Sequence, residues 1–199
     1  MATTEGSDAT SVADLAGGTV SVGAAGSGTE QMARQILEAY GLTYEDVTPR
    51  YLSFTESATA LKDGALDAAI ISVGYPAAAV LEATTTAGAR LLPLGAEQIE
   101  FLVERYPYYM EGTIPAGAYP GTEEDITTAA IMNWVIGMAD LPDDVVNNVV
   151  TMLADDREAL EQVHDMATQI HMESLTDAPI QTHAVTSAWM SANMVGAGR

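Results

Sequence analysis

The sequence predicts an α/β lobe followed by a group of helices, and three observations predict it. Short apolar runs at 19–22, 48–54, 67–73 and 89–94 alternate with amphipathic stretches, the pattern of strands joined by crossover helices. The run at 67–73, DAAIISV, is continuously apolar, as expected of a parallel strand buried on both faces. Beyond residue 121 the alternation stops: a long apolar segment at 126–138 is followed by helical periodicity.

The opening unit is 20–40, VSVGAAGSGTEQMARQILEAY, which reads as strand, glycine-rich turn and helix. Thr19 to Val22 alternate like a half-buried strand. Gly23, Gly26 and Gly28 bracket a sharp turn that calls for positive φ. Ser27 or Thr29 can serve as N-cap, and Glu30 falls in the first turn, where a carboxylate suits the helix dipole. Met32, Ile36, Leu37 and Tyr40 mark one apolar face, and Gly41 ends the helix. Such a turn aims backbone N–H groups and the positive helix end at one spot, which suits a carboxylate or a phosphate. Glycines that only let a strand turn tightly into a helix would read the same way. Nucleotide motifs fit poorly. No lysine follows the glycines as a Walker loop requires, and G-x-x-G-x-G reverses the dinucleotide fingerprint.

Residues 1–11 read as a disordered lead-in, and 12–121 as the lobe. Pro49 suits the start of its strand or an edge position. Ser53 or Thr55 can cap a short helix that ends at Gly64. Gly74-Tyr75-Pro76 turns into a helix over 77–84, with Pro76 near its first position. A strand at 89–94 and a helix at 96–106 complete the alternation. Three turns then leave the carboxyl ends of strands on one edge, at 24–29, 53–55 and 74–76, where open α/β sheets bind ligands. Residues 113–121, TIPAGAYPG, form a link. Residues 122–199 hold the return strand at 126–138 and helices starting near Pro142, near Asp155 or Asp156, and around Trp189.

Composition narrows the partners. There are 28 acidic against 7 basic residues, a net charge of -21, and Lys62 is the single lysine. Phosphate contacts need Lys and Arg, so nucleic acid is not a partner, nor is an anionic membrane surface. Acidity spread along the chain also marks a protein kept hydrated in strong salt, although an ordinary acidic protein can share it. Without cysteine there is no disulfide, thiolate or zinc–thiolate chemistry. The polar, acidic beginning has no signal-peptide pattern, and no apolar run has the length of a membrane span.

Catalytic constellations are weak. His164, His171 and His183 lack the i, i+4 spacing of a helical metal site. Ser27 stands in G-S-G, not in a G-x-S-x-G elbow. Asp143-Asp144 and Asp155-Asp156 read as helix starts. We expect no catalytic residues, metal or cofactor. The alternative is a small α/β enzyme that takes a phosphorylated substrate or nucleotide at the glycine turn.

Five segments occur in an informative order: SVADLAGGTVSVGAAGSGTE, YLSFTESATALKDGALDAAI, VGYPAAAV, TIPAGAYPG and ADLPDDVV. Together they resemble the TAXI family of TRAP-transporter solute receptors, extracytoplasmic proteins that pass small organic anions to membrane subunits. The resemblance spans roughly 11–189. It implies a type II-like periplasmic-binding-protein lobe with additional C-terminal helices, and a ligand such as glutamate or a dicarboxylate held between two lobes. It also implies that the N-terminal lobe is absent, so that the helices of 122–199 lack the partner they would pack on and can self-associate. Carried over by position, the ligand contacts are Gly26, Ser27, Gly28 and Thr29, with Ser53, Phe54, Gly74, Tyr75 and Pro76.

The charge yields a direct prediction. At molar salt the screening length falls to about 3 Å, which removes most self-repulsion. Melting followed by circular dichroism should give a higher midpoint in molar KCl than in dilute buffer. An unchanged midpoint would count against salt adaptation.

Overall fold

A computed structural model describes residues 1–175, 178 and 180–194, so 176, 177, 179 and 195–199 of the expected C-terminal segment lie outside the described residues. The chain divides into two units, Met1–Met132 and Asn133–Arg199.

The first unit is built on a five-stranded sheet. In chain order its strands are β1 (Ala2–Thr3), β2 (Thr19–Ser21), β3 (Thr48–Arg50), β4 (Ala68–Ala69) and β5 (Arg90–Leu91). Their spatial order is β3-β2-β4-β1-β5. β2 runs parallel to both β3 and β4, while β1 is antiparallel to β4 and β5. Helices α1 (Gly28–Ala39), α2 (Phe54–Lys62), α3 (Ala78–Thr86) and α4 (Ala96–Arg105) follow β2, β3, β4 and β5 in turn. Val20, Val22 and Ala68 pack with Met32, Ile36 and Leu37 of α1 and Ile99 and Leu102 of α4. Ala69 and Ala2 pack instead with Ala58 and Leu61 of α2 and Ala83 of α3. The two-residue period of a strand thus sends neighbouring side chains into separate cores, and helices cover both faces. A hairpin of β6 (Tyr109–Ile114) and β7 (Ile126–Ile131) completes the unit, in register from Tyr109 opposite Ile131 to Ile114 opposite Ile126.

Several expectations need correction. Residues 1–11 are not a disordered lead-in. Ala2 and Thr3 are buried in the sheet, and the Arg90 guanidinium donates to the carbonyls of Ser7 and Ala9. A two-residue strand is too short to show a period. The lobe does not stop at 121, because β7 pairs with β6 and keeps the first unit intact to Met132. The strand expected over 126–138 ends at Ile131, and β6 begins ahead of the expected 113–121 link. The remaining strands are shorter than expected, and the helices form at the expected places with ends shifted by one or two residues. Pro49 lies in β3, an edge strand, where its missing N–H costs no ladder bond.

In the second unit, α5 (Asp143–Asp155) starts after Pro142 with two acids in its first turn, and α6 (Arg157–Val163) and α7 (Ala184–Asn193) follow. α7 packs on α5. Among the described residues, Val150 is the only hydrophobic side chain of this unit that is buried, while Val135, Ile136, Met138 and Val163 are more than 70% exposed. No helix of the described residues is long and apolar enough to cross a membrane.

Gly23 is where the fold leaves least freedom. Its φ is +89°, and an added Cβ would stand 2.7 Å from the Cβ of Thr29. Gly28 faces open space. Gly23→Ala should cost about 2 kcal/mol or more through strain and overpacking. Gly28→Ala should stay within about 0.5 kcal/mol of the parent. Urea unfolding of both variants checks this; equal midpoints would remove the special role of Gly23.

Candidate functional site

The site follows from the three parallel strands. Val22 N donates to Arg50 O at 3.0 Å, and Ile70 N donates to Ser21 O at 2.9 Å, so pairing continues just beyond the carboxyl ends of β2, β3 and β4. The loops into α1, α2 and α3 therefore leave one edge of the sheet. They carry Gly26 to Thr29, Ser53 with Phe54, and Gly74 to Pro76. Beneath them the Ser21 and Ser57 hydroxyls meet at 2.7 Å, fully buried. Ser57 Oγ donates to the Ser53 carbonyl at 2.8 Å, which leaves Ser21 as the donor in that pair.

In the first loop, Gly23 and Gly26 adopt positive φ, and Gly28 does not. Ser27 is the N-cap of α1, its hydroxyl accepting from Glu30 N at 3.2 Å. Glu30 folds back over the turn. Its Oε2 accepts from Gly26 N at 2.7 Å, and its Oε1 takes both Arg34 Nε, at 3.1 Å, and Nη2, at 2.7 Å. The Gly26 bond, then Arg34, holds this carboxyl below its ordinary value. The glycine turn thus binds a carboxylate, and that carboxylate belongs to the chain. Thr29 is buried against Gly23. The N–H groups of Gly28 and Thr29 have no partner among the described residues, as the first amides of a helix do.

The second loop repeats the device. Ser53 caps α2, and Glu56 accepts from Ser53 N at 2.8 Å and from its hydroxyl at 2.7 Å, a capping box that depresses the Glu56 pKa. Phe54 is half-buried at the helix start. The third loop differs. Tyr75–Pro76 is a cis peptide, and α3 begins without a side-chain cap. Ala77 N donates to the Tyr119 hydroxyl at 2.9 Å, and Tyr75 packs on the cluster of Ala77, Val80 and Tyr119.

A cleft of about 340 Å³ opens beside the first loop. Gly28, Thr29, Gln31, Met32 and Gln35 line it from α1, with Ser72, Tyr108 and Ile131 opposite. Of the residues expected at the site, Gly28 and Thr29 line this cleft. Gly26, Ser27, Ser53, Phe54, Gly74, Tyr75 and Pro76 leave the same sheet edge without lining it. Sequence reasoning missed Gln31, Met32, Gln35, Ser72, Tyr108 and Ile131 as lining residues. The one available signal was the tyrosine cluster Tyr106, Tyr108 and Tyr109 after α4. There Tyr109 donates to Gln35 Oε1 at 2.7 Å, and Gln35 Nε2 donates to the Tyr108 hydroxyl at 2.6 Å. Burial, then its tyrosine neighbours, pushes the Tyr109 pKa up, so the hydroxyl remains a donor. Among the described residues no three His, Asp or Glu side chains gather to hold a metal.

This architecture, with loops converging at the carboxyl ends of three parallel strands, is the type II-like periplasmic-binding-protein fold with additional C-terminal helices. The sequence pattern of the NMT1-like family matches residues 1–185, and the chain belongs to that family. Its fold is similar to that of the periplasmic aliphatic sulphonate binding protein SsuA from Escherichia coli, at 19% identity and a TM-score of 0.50, over 96% of this chain and 50% of that one. The alkanesulfonate-binding protein SsuA from Xanthomonas axonopodis pv. citri, bound to MOPS, matches at 20% identity and a TM-score of 0.47, over 96% and 53%. The chain spans about half the length of these two proteins.

The capping carboxylates make stability depend on acid. Glu30 and Glu56 have folded pKa values below their ordinary 4.5, so the unfolded chain binds more protons. Their contribution is complete above the ordinary value and is lost as pH falls through the depressed ones. In molar KCl, where net charge matters least, the melting midpoint should fall below about pH 5. Glu30→Gln with Glu56→Gln should flatten that slope; an unaltered slope would dissociate these caps from acid stability.

Proposed function

We propose that this chain is the ligand-binding lobe of an extracytoplasmic solute receptor that serves a TRAP-type secondary uptake transporter. It captures a small organic anion, an amino acid such as glutamate or a dicarboxylate, and performs no chemistry on it. Membrane subunits of the transporter are the partners of the complete receptor. The observation that carries this reading is the convergence of three helix starts on one sheet edge beside a cleft. Membership in the NMT1-like family and the binding-protein fold support it, as do the five segments that resemble TAXI receptors.

One carboxylate of the ligand takes the amides of Gly28 and Thr29 together with the Thr29 hydroxyl, and Ser27 holds that turn in place. Backbone amides and hydroxyls bind a carboxylate by charge-assisted hydrogen bonds without a buried cation. The helices beyond residue 142 pack on a further lobe of the complete receptor, and the exposed Val145 and Met152 of α5 are suited to that. The enzyme alternative, with a phosphate on the glycine turn, is disfavoured because the Glu30 carboxylate already takes Gly26 N, which leaves the turn fewer free amides than a phosphate cradle uses.

Calorimetric titration of this chain with amino acids, dicarboxylates and nucleotides tests the proposal. One lobe supplies part of the contacts, so an organic acid should bind on the order of millimolar, about 4 kcal/mol. Ser27→Ala with Thr29→Ala should weaken that about tenfold or more, while a change at Glu82, exposed on α3, should have little effect. Binding of nucleotides without binding of acids would favour the enzyme.

A further inference from the structure

Beyond the carboxylate anchor, we infer that the far end of the same cleft is a second subsite, which selects ligands with a hydrogen-bond acceptor remote from their first carboxylate. This rests on the solute-receptor reading and assigns residues of this chain to the ligand's second acceptor. Tyr108 is the specificity residue, and Gln35 and Tyr109 position it.

The inference follows from the direction of a hydrogen-bond chain. Tyr109 is buried, and its hydroxyl proton goes to Gln35 Oε1 at 2.7 Å. Gln35, 4% exposed, must then present Nε2 to the Tyr108 oxygen, at 2.6 Å. Reversing the amide would make Tyr109 an acceptor and leave its own proton buried without a partner, which is costly. The direction is therefore set from the interior outward. Tyr108 receives a hydrogen bond from Gln35 and keeps its own proton free to donate. Its ring is held 5.1 Å from that of Tyr109 and 6.0 Å from that of Tyr106. Yet Tyr108 is 46% exposed, so its hydroxyl can meet a ligand. The second N–H of Gln35 also has no protein partner among the described residues, and Gln35 lines the cleft. This end of the cleft therefore offers neutral donors and calls for an oxygen acceptor.

Gly28 and Gln35 lie seven residues apart on one face of α1, about 10 Å along the axis. The Gln35 side chain leans back toward the helix start, which shortens that span. Met32 lies between them, and Ile131 adds a second apolar side chain to the wall. An acid with a short apolar middle and a second carboxylate or carbonyl at its far end matches the order of these groups.

Calorimetry in about 1 M KCl, where the -21 charge is screened, provides the test. The probes are succinate, glutarate, adipate and pimelate, each against the monocarboxylate of equal chain length. At least one diacid should bind about tenfold tighter than its monoacid. Tyr108→Phe should bring the ratio of diacid to monoacid affinity down to about one. In amide NMR spectra, the Gln35 side-chain signals should move saturably with the diacid. Tyr109→Phe, which frees Gln35 to turn over, should reduce the preference without contact to the ligand. Diacids and monoacids that bind equally, or a preference that survives Tyr108→Phe, would overturn the second subsite and leave the receptor reading standing. If no acid binds at all, both fall.

Discussion

The functional edge of the sheet depends on one buried pair of hydroxyls. Ser21 at the end of β2 donates to Ser57 in α2, and Ser57 donates to the Ser53 carbonyl. The pair joins the central strand of the parallel trio to the helix of a neighbouring strand. Ser53 in turn is the cap that Glu56 locks. A sheet with strands of only two or three residues cannot position its loops by ladder bonds alone. Here a neutral polar link, sealed from water, fixes where the second loop begins relative to the first. Losing one partner would leave a buried hydroxyl unsatisfied, a cost of about 1–3 kcal/mol.

Two carboxylates of this acidic chain are tied down locally at the sheet edge. Glu30 and Glu56 fold back onto the starts of α1 and α2, where backbone N–H groups bind them. Arg34, bonded to Glu30 and stacked 4.1 Å from the Tyr44 ring, completes the binding of Glu30 on the outside of the turn. The N–H groups of Gly28 and Thr29 are left without a partner among the described residues. This arrangement differs from the simple expectation for a glycine turn, because the most obvious amide of the turn, Gly26 N, is already occupied by the protein.

Much of the fold was legible in the sequence, and the reasons are local. The unit over 20–40 announced itself through alternation, glycines and a helical face, and Gly23, Gly26 and Gly41 take the positive φ that such turns require. Pro49 pointed to an edge strand, and β3 is one. What was not legible is long-range. β1 is two residues whose place between β4 and β5 is set by pairing partners more than sixty positions away. β6 is hidden in a run of tyrosines and polar residues, and only β7 gives it a register. The cleft residues were missed for the same reason: Gln35 and Tyr108 are 73 positions apart, and neither has a motif. The first loop was found because one short segment contains all of it. The second and third were found through the strand-end rule and the family resemblance.

The central claim is that the sheet edge after β2, β3 and β4, with the cleft beside α1, receives a small organic acid. The most direct test is a crystal structure of this chain grown with saturating glutamate or glutarate. The expected result is an acid with one carboxylate within hydrogen-bond distance of the Gly28 and Thr29 amides, with Glu30 still on Gly26. An acid seated elsewhere on the chain, or one that displaces Glu30 from Gly26, would contradict it.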